Sequence, residues 1–168
     1  MLGLFKKKID FKAVIRDFAD DLTRMKDSVD GLARESGLTK SANYERETAA
    51  LVYVFGWLSI QTSNLGASDK HRFSAELTGE WSKRMNDGVE TIEIIKFLQS
   101  RIVLYRDAMD KGESRDWIAR LSMKFLEHFG ANNQDHAAII VTLHISVPQY
   151  IEALGSFLND LSGQYKFV

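Results

Sequence analysis

The stretch FKAVIRDFADDLTRMKDSVDGL, residues 11–32, decides the fold. Phe11, Ile15, Phe18, Leu22, Met25, Val29 and Leu32 recur at spacings of 4, 3, 4, 3, 4 and 3. That period belongs to a helix burying one stripe; a strand alternates with a period of two and cannot present it. Asp17, Asp20, Asp21, Arg24, Asp27 and Asp30 fall between the apolar positions and predict a solvated face. Asp20–Arg24 and Asp30–Arg34 have the spacing of favourable i,i+4 pairs. The same 4-3 seam is the pattern of a coiled coil. Two readings follow: an ordinary bundle helix packed at a shallow angle, which is preferred, or self-association through the seam to give a homodimer.

Working outward, glycines punctuate the chain where periodic runs stop: Gly37, Gly66, Gly88, Gly112, Gly130 and Gly163. Glycine ends helices because it accepts the left-handed backbone after the last turn. The runs between predict helices near residues 10–36, 41–65, 69–86, 89–111, 114–129 and 133–162. No run of strict alternation suggests a strand. The expected fold is all-α, a compact bundle of six to seven helices. Residues 10–168 form one domain, after an apolar and basic N-terminal tail at 1–9.

The second run holds Ala49 to Leu58 and is apolar on nearly all sides, so it belongs at the centre, with Gly56 letting a neighbour approach. Tyr44, Glu45, Arg46 and Glu47 open it in more polar surroundings. Phe73, Leu77, Trp81 and Met85 give a thinner third stripe, expected at the periphery. The fourth stripe reads Val89, Ile92, Ile95, Leu98, Ile102, Tyr105 and Met109, and the fifth Trp117, Leu121, Phe125 and Phe129. Pro148 interrupts the last run. Inside a helix it costs about 3 kcal/mol. Ser146-Val147-Pro148-Gln149 resembles a capping box, so the last long helix is expected to be broken or kinked at Pro148, as two helices over 133–145 and 147–162.

Composition narrows the function classes. The chain has 168 residues, 45% of them apolar, with 22 Lys plus Arg against 23 Asp plus Glu and no cysteine. Thiolate metal sites, disulfides and a cysteine nucleophile are excluded. A formal net charge of −1 gives no electrostatic reason to bind nucleic acid, and QDHAAIIVTLHIS, residues 134–146, lacks the Lys and Arg of a recognition helix. No export signal is expected, and the run from Ala137 to Leu158 carries His144, Pro148, Gln149 and Glu152, too polar for lipid. A cytoplasmic location is expected.

Chemistry-bearing motifs are sparse. His71, His128, His136 and His144 are the histidines, with no His-Glu-x-x-His or Glu-x-x-His, so no metal or other cofactor is expected. Glu127-His128 and Asp135-His136 are sequence neighbours, which point apart on a helix. Glu45, Glu47, Asp20 and Asp21 read as solvated carboxylates. The catalytic residues of any enzyme are unknown at this stage. The sharpest local feature is Leu2, Leu4 and Phe5 beside Lys6, Lys7 and Lys8, a candidate contact for a partner or an anionic membrane surface. The preferred reading there is that Leu and Phe fold back on the bundle. Residues 131–168 carry four charges and residues 1–48 carry nineteen, so the C-terminal region is either core or docking surface.

The expectation is a non-enzymatic helical interaction or regulatory module that binds a protein partner and self-associates as a homodimer. One alternative is a bundle binding an apolar small molecule or lipid among Tyr53, Phe55, Trp57, Tyr150 and Phe157. Another is an enzyme whose site is assembled from distant residues.

Overall fold

The computed structural model of the chain describes residues 7–35, 43–85, 88–110, 117–128 and 137–167. In order these form β1 (Lys7–Ile9), α1 (Phe11–Glu35), α2 (Tyr44–Thr62), α3 (Ala67–Arg84), α4 (Thr91–Asp110), α5 (Trp117–Glu127), α6 (Ala137–Gln164) and β2 (Tyr165–Phe167). The periodic runs become six helices among the described residues, in a compact all-α bundle, but the glycines act otherwise than expected: Gly88 takes the left-handed backbone (φ 95), Gly66 is extended before α3, Gly163 lies inside α6, and Gly37, Gly112 and Gly130 lie outside the described residues.

The seam of α1 is its inner face. Phe11, Ile15, Phe18, Leu22, Met25 and Val29 are all buried within the chain, and the side chain of Leu32 lies outside the described residues. The apolar stripe is used in the core, so the bundle-helix reading holds and the folded chain does not offer this seam to a second copy. α2 is the hub. Every residue from Glu47 to Gly56 is buried, and the helix packs on α1, α3, α4 and α6. Gly56 is where α1 comes closest. A Cβ there would stand 2.6 Å from Leu22 Cδ1 and 3.3 Å from Phe18 Cε1.

The third helix is better anchored than a peripheral one. Phe73 and Leu77 are fully buried, Phe73 meets Phe11 edge-on at 4.7 Å between ring centroids, and the Trp81 indole N–H donates to the Ala49 carbonyl at 3.0 Å. In α4 the buried stripe is displaced from the expected one. Ile94, Leu98, Tyr105 and Ala108 face the core, while Ile92 is 53% exposed. The true phase, 94-98-101-105-108, contains Arg101. A cation in the stripe hid it from an apolar pattern.

α6 is not broken. It runs from Ala137 through Pro148 to Gln164 as one helix. Residue 148 has no N–H for the carbonyl of residue 144, but Leu143 and Val147 before it and Leu154 and Leu158 after it are all buried. Packing along α2 and α5 outweighs the lost bond. The all-α pattern has one addition. β1 and β2 pair as a two-stranded parallel ribbon with Lys7 opposite Tyr165, Lys8 opposite Lys166 and Ile9 opposite Phe167. Three residues are too few to show alternation. Parallel neighbours require a long crossover, and here the whole bundle is that crossover. Residues 7–9 therefore belong to the folded domain, while residues 1–6 lie outside the described ones. No helix among the described residues is long and apolar enough to cross a membrane.

Candidate functional site

Two kinds of polar arrangement occur, one sealed inside the bundle and one open on its surface. The sealed one lies where α2, α4 and α5 meet. Glu47 is 5% exposed, and its carboxylate is gripped by the Arg101 guanidinium, Nε donating to Oε2 at 2.8 Å and Nη2 to Oε1. His128, just past α5, brings Nδ1 to 3.9 Å from the same Oε1. The Tyr105 ring stands edge-on to His128 with centroids 6.4 Å apart. The Tyr105 hydroxyl and His128 Nε2 are buried without a hydrogen-bond partner among the described residues.

Each pKa follows from its surroundings. The Glu47 carboxylate raises the Arg101 guanidinium above its ordinary value. Burial, with Glu47 adding to it, pushes the Tyr105 phenol far up. Burial lowers the His128 imidazole, and the pull of Glu47 only partly offsets it. These are converging polar groups with shifted protonation, the pattern of a catalytic site. Accessibility is divided: the Arg101 and His128 side chains reach solvent, at 20% and 25% exposure. Tyr105 is fully buried and the Glu47 carboxylate is occupied by a guanidinium. The cluster ties three helices together. A removed partner there leaves a buried charge, so it also fixes how they pair.

Sequence reasoning missed this cluster because it grouped Glu47 with Glu45. In the structure Glu45 is exposed and pairs with Lys26 at 2.6 Å, whereas Glu47 points inward. The signal was available. Tyr44, Glu47, Leu51, Val54 and Leu58 follow one another at helical spacing, which puts Glu47 on an apolar stripe. Asp30 was misread in the same way. It is buried and accepts hydrogen bonds from Lys26 Nζ and the Tyr44 hydroxyl, each at 2.7 Å, rather than pairing with Arg34 on a solvated face. Asp20 and Asp21 do lie outside, but Asp20 pairs with Arg84 at 2.7 Å and Asp21 with Arg24.

The open arrangement consists of grooves on both flanks of α1. The first, about 340 Å³, lies among α1, α2, α3 and the start of α4. Its floor is apolar: Ala49, Trp81, Met85, Val89 and Ile94. Its rim is charged, with Lys26, Asp27, Glu45, Arg46 and Arg84. Internal partners account for three of these five. Lys26 lies between Asp30 and Glu45, and Arg84 bonds to Asp20 and the Thr23 hydroxyl. Asp27 and Arg46 are different. Among the described residues Asp27 has no hydrogen bond or ion pair, and Arg46 has only the Phe97 ring beneath its guanidinium, 4.2 Å from the centroid. The second groove, about 290 Å³, lies between α1 and α6 and is walled by Met25, Tyr150, Ala153, Leu154 and Phe157, with Asp21, Arg24 and Ser28 at its edge.

The remaining expected residues divide accordingly. Tyr53 and Phe55 are core, Trp57 is half-buried, and only Tyr150 and Phe157 of that aromatic set line a groove. Leu2, Leu4, Phe5 and Lys6 lie outside the described residues, as does the side chain of Lys7; Lys8 is exposed on β1. His71 is exposed on α3, and His136 and the side chain of His144 lie outside the described set. No group of three or more metal-ligating side chains occurs among the described residues. No protein-family model, curated protein or solved structure matches the chain.

Proposed function

We propose that the chain is a non-enzymatic helical interaction module that docks a protein partner in the groove floored by Trp81, Met85, Val89 and Ile94. The observation that carries this reading is the pair of opposite charges, Asp27 and Arg46, which have no ion pair among the described residues and stand on the rim of an apolar groove whose other charges are internally matched. An apolar anchor from the partner fills the floor, and flanking charges of opposite sign to Asp27 and Arg46 set its register. A second copy of the chain is one such partner, meeting this groove rather than the buried α1 seam. The docking role is compatible with the expected cytoplasmic location.

The test is a photo-cross-linking side chain at Val89, with Val103 on the outer face of α4 as control, in cells that naturally make the protein. The reading expects a discrete protein adduct from position 89 and none from 103. An adduct of twice the chain mass identifies self-association. Absence of any protein adduct at 89, or native mass spectrometry showing a retained small apolar molecule displaced by filling the groove, overturns it.

A further inference from the structure

The docking groove also limits the kind of segment that can fill it. Its floor is apolar, with Trp81 and Ile94 buried and Met85 and Val89 half-buried beside them. Its walls are helices, and neither β1 nor β2 lines it. An extended segment would find no strand edge to pair with there among the described residues. Its own N–H and C=O groups would face the floor unpaired, at a cost comparable to a lost hydrogen bond each. A helix satisfies its backbone internally and presents only side chains, so it can lay one apolar stripe on such a floor.

The rim sets the charges of that helix. Lys26 and Glu45 join α1 to α2 at 2.6 Å, and Asp27 and Arg46, the next residue on each helix, are both exposed. One wall therefore carries an anion and the other a cation, neither with an ion pair among the described residues. Phe97 carries two guanidiniums, Arg46 at 4.2 Å and Arg101 at 4.6 Å from the ring centroid. Glu47 neutralises Arg101, and no carboxylate among the described residues does the same for Arg46. The stacking holds the plane of the Arg46 guanidinium, whose fork of N–H donors matches the two oxygens of a carboxylate. We propose that the occupant of the groove is an amphipathic helix of the partner. Its apolar stripe rests on Trp81, Met85, Val89 and Ile94, a carboxylate on one flank meets Arg46, and a cationic side chain on the other meets Asp27. This inference rests on the docking reading and adds the form and charge pattern of the partner.

The test carries the Val89 cross-link through to the partner's sequence. The adduct is digested and the joined peptide identified by mass spectrometry. It should come from a segment whose apolar residues recur at spacings of three and four, with an acidic residue on one side of the stripe and a basic one on the other. Arg46→Glu sets like charges together and should lower the adduct yield at least about tenfold; changing the partner's acidic residue to Lys should restore it. Asp27→Lys with the partner's basic residue changed to Glu is the second exchange, at a position with no stacking to lose. Yields are compared at a temperature where melting curves show every variant folded. Restoration in both exchanges supports the proposal. A joined segment that lacks the helical period or either charge, or an exchange that restores nothing, overturns the form and charges proposed here while the docking site stands. Absence of any protein adduct at Val89 overturns the docking reading and this inference with it.

Discussion

Glu47 and Asp27 are both carboxylates on helices that flank the same core, yet they do opposite things. Glu47 is sealed, and its charge is consumed by Arg101 inside the α2–α4–α5 junction. Asp27 stands on the rim of an open groove with no partner among the described residues. A buried charge without its partner is costly, so selection for folding accounts for Glu47 and Arg101 together. A solvated charge costs little and stabilises little. Folding uses Arg46 through its stacking on Phe97 and asks little of Asp27, and the proposed docking would use both. The difference separates residues whose loss should unfold the chain from residues whose loss should leave it folded and unable to dock.

The largest expected effect lies on the sealed side. Glu47→Ala strands the Arg101 guanidinium and should lower stability by about 3 kcal/mol in denaturant titrations. A double variant, Glu47→Leu with Arg101→Met, should recover most of that loss, because no buried charge is left. Additive losses would mean that the pair is not one unit.

Next comes the contact on the other face of α2. Gly56→Val places methyl groups where Leu22 already sits, and overpacking of this kind costs about 2 kcal/mol. Adding Leu22→Ala should relieve part of the clash, so the two changes together should cost less than their sum. Thermal melts of the four proteins in this cycle check it.

Tyr105→Phe removes a hydroxyl that is buried without a partner among the described residues. It should be neutral or stabilise by up to about 1 kcal/mol. A loss of about that size would instead show that the hydroxyl is hydrogen-bonded, for instance to a buried water.

The smallest effect is a pH slope. Burial lowers the folded-state pKa of His128 below its ordinary value of 6.5, so the proton prefers the unfolded chain. This contribution is complete above the unfolded value and is lost as pH falls below it. Stability should therefore tilt downward as pH falls through about 6.5, the ordinary imidazole value. His128→Gln should flatten that tilt; an unchanged slope assigns it to other groups.

How much of this was legible beforehand follows from the same contrast. The seam of α1 announced itself because Phe11 to Val29 are apolar at every inward position. The centrality of α2 and the role of Gly56 were legible for the same reason. Polar residues that face inward were not. Arg101 broke the α4 stripe and shifted its apparent phase toward Ile92, and Glu47 and Asp30 were taken for solvated carboxylates because composition cannot show which side of a helix is covered. The continuity of α6 through Pro148 and the Lys7–Ile9 ribbon depend on partners far along the chain, which no local pattern contains. The grooves were invisible for a similar reason, since Trp81 and Val89 meet Ala49 only after the helices pack.

The decisive measurement pairs docking with stability in one protein. Asp27→Lys and Arg46→Glu together reverse the two rim charges; both are exposed, and with the Arg46–Phe97 stacking lost the stability should fall by no more than about 1 kcal/mol. Cross-linking from Val89 in this variant, at a temperature where it is fully folded, should then lose the protein adduct expected with the unaltered chain. An undiminished adduct from the folded variant would contradict the assignment of the groove as the docking site.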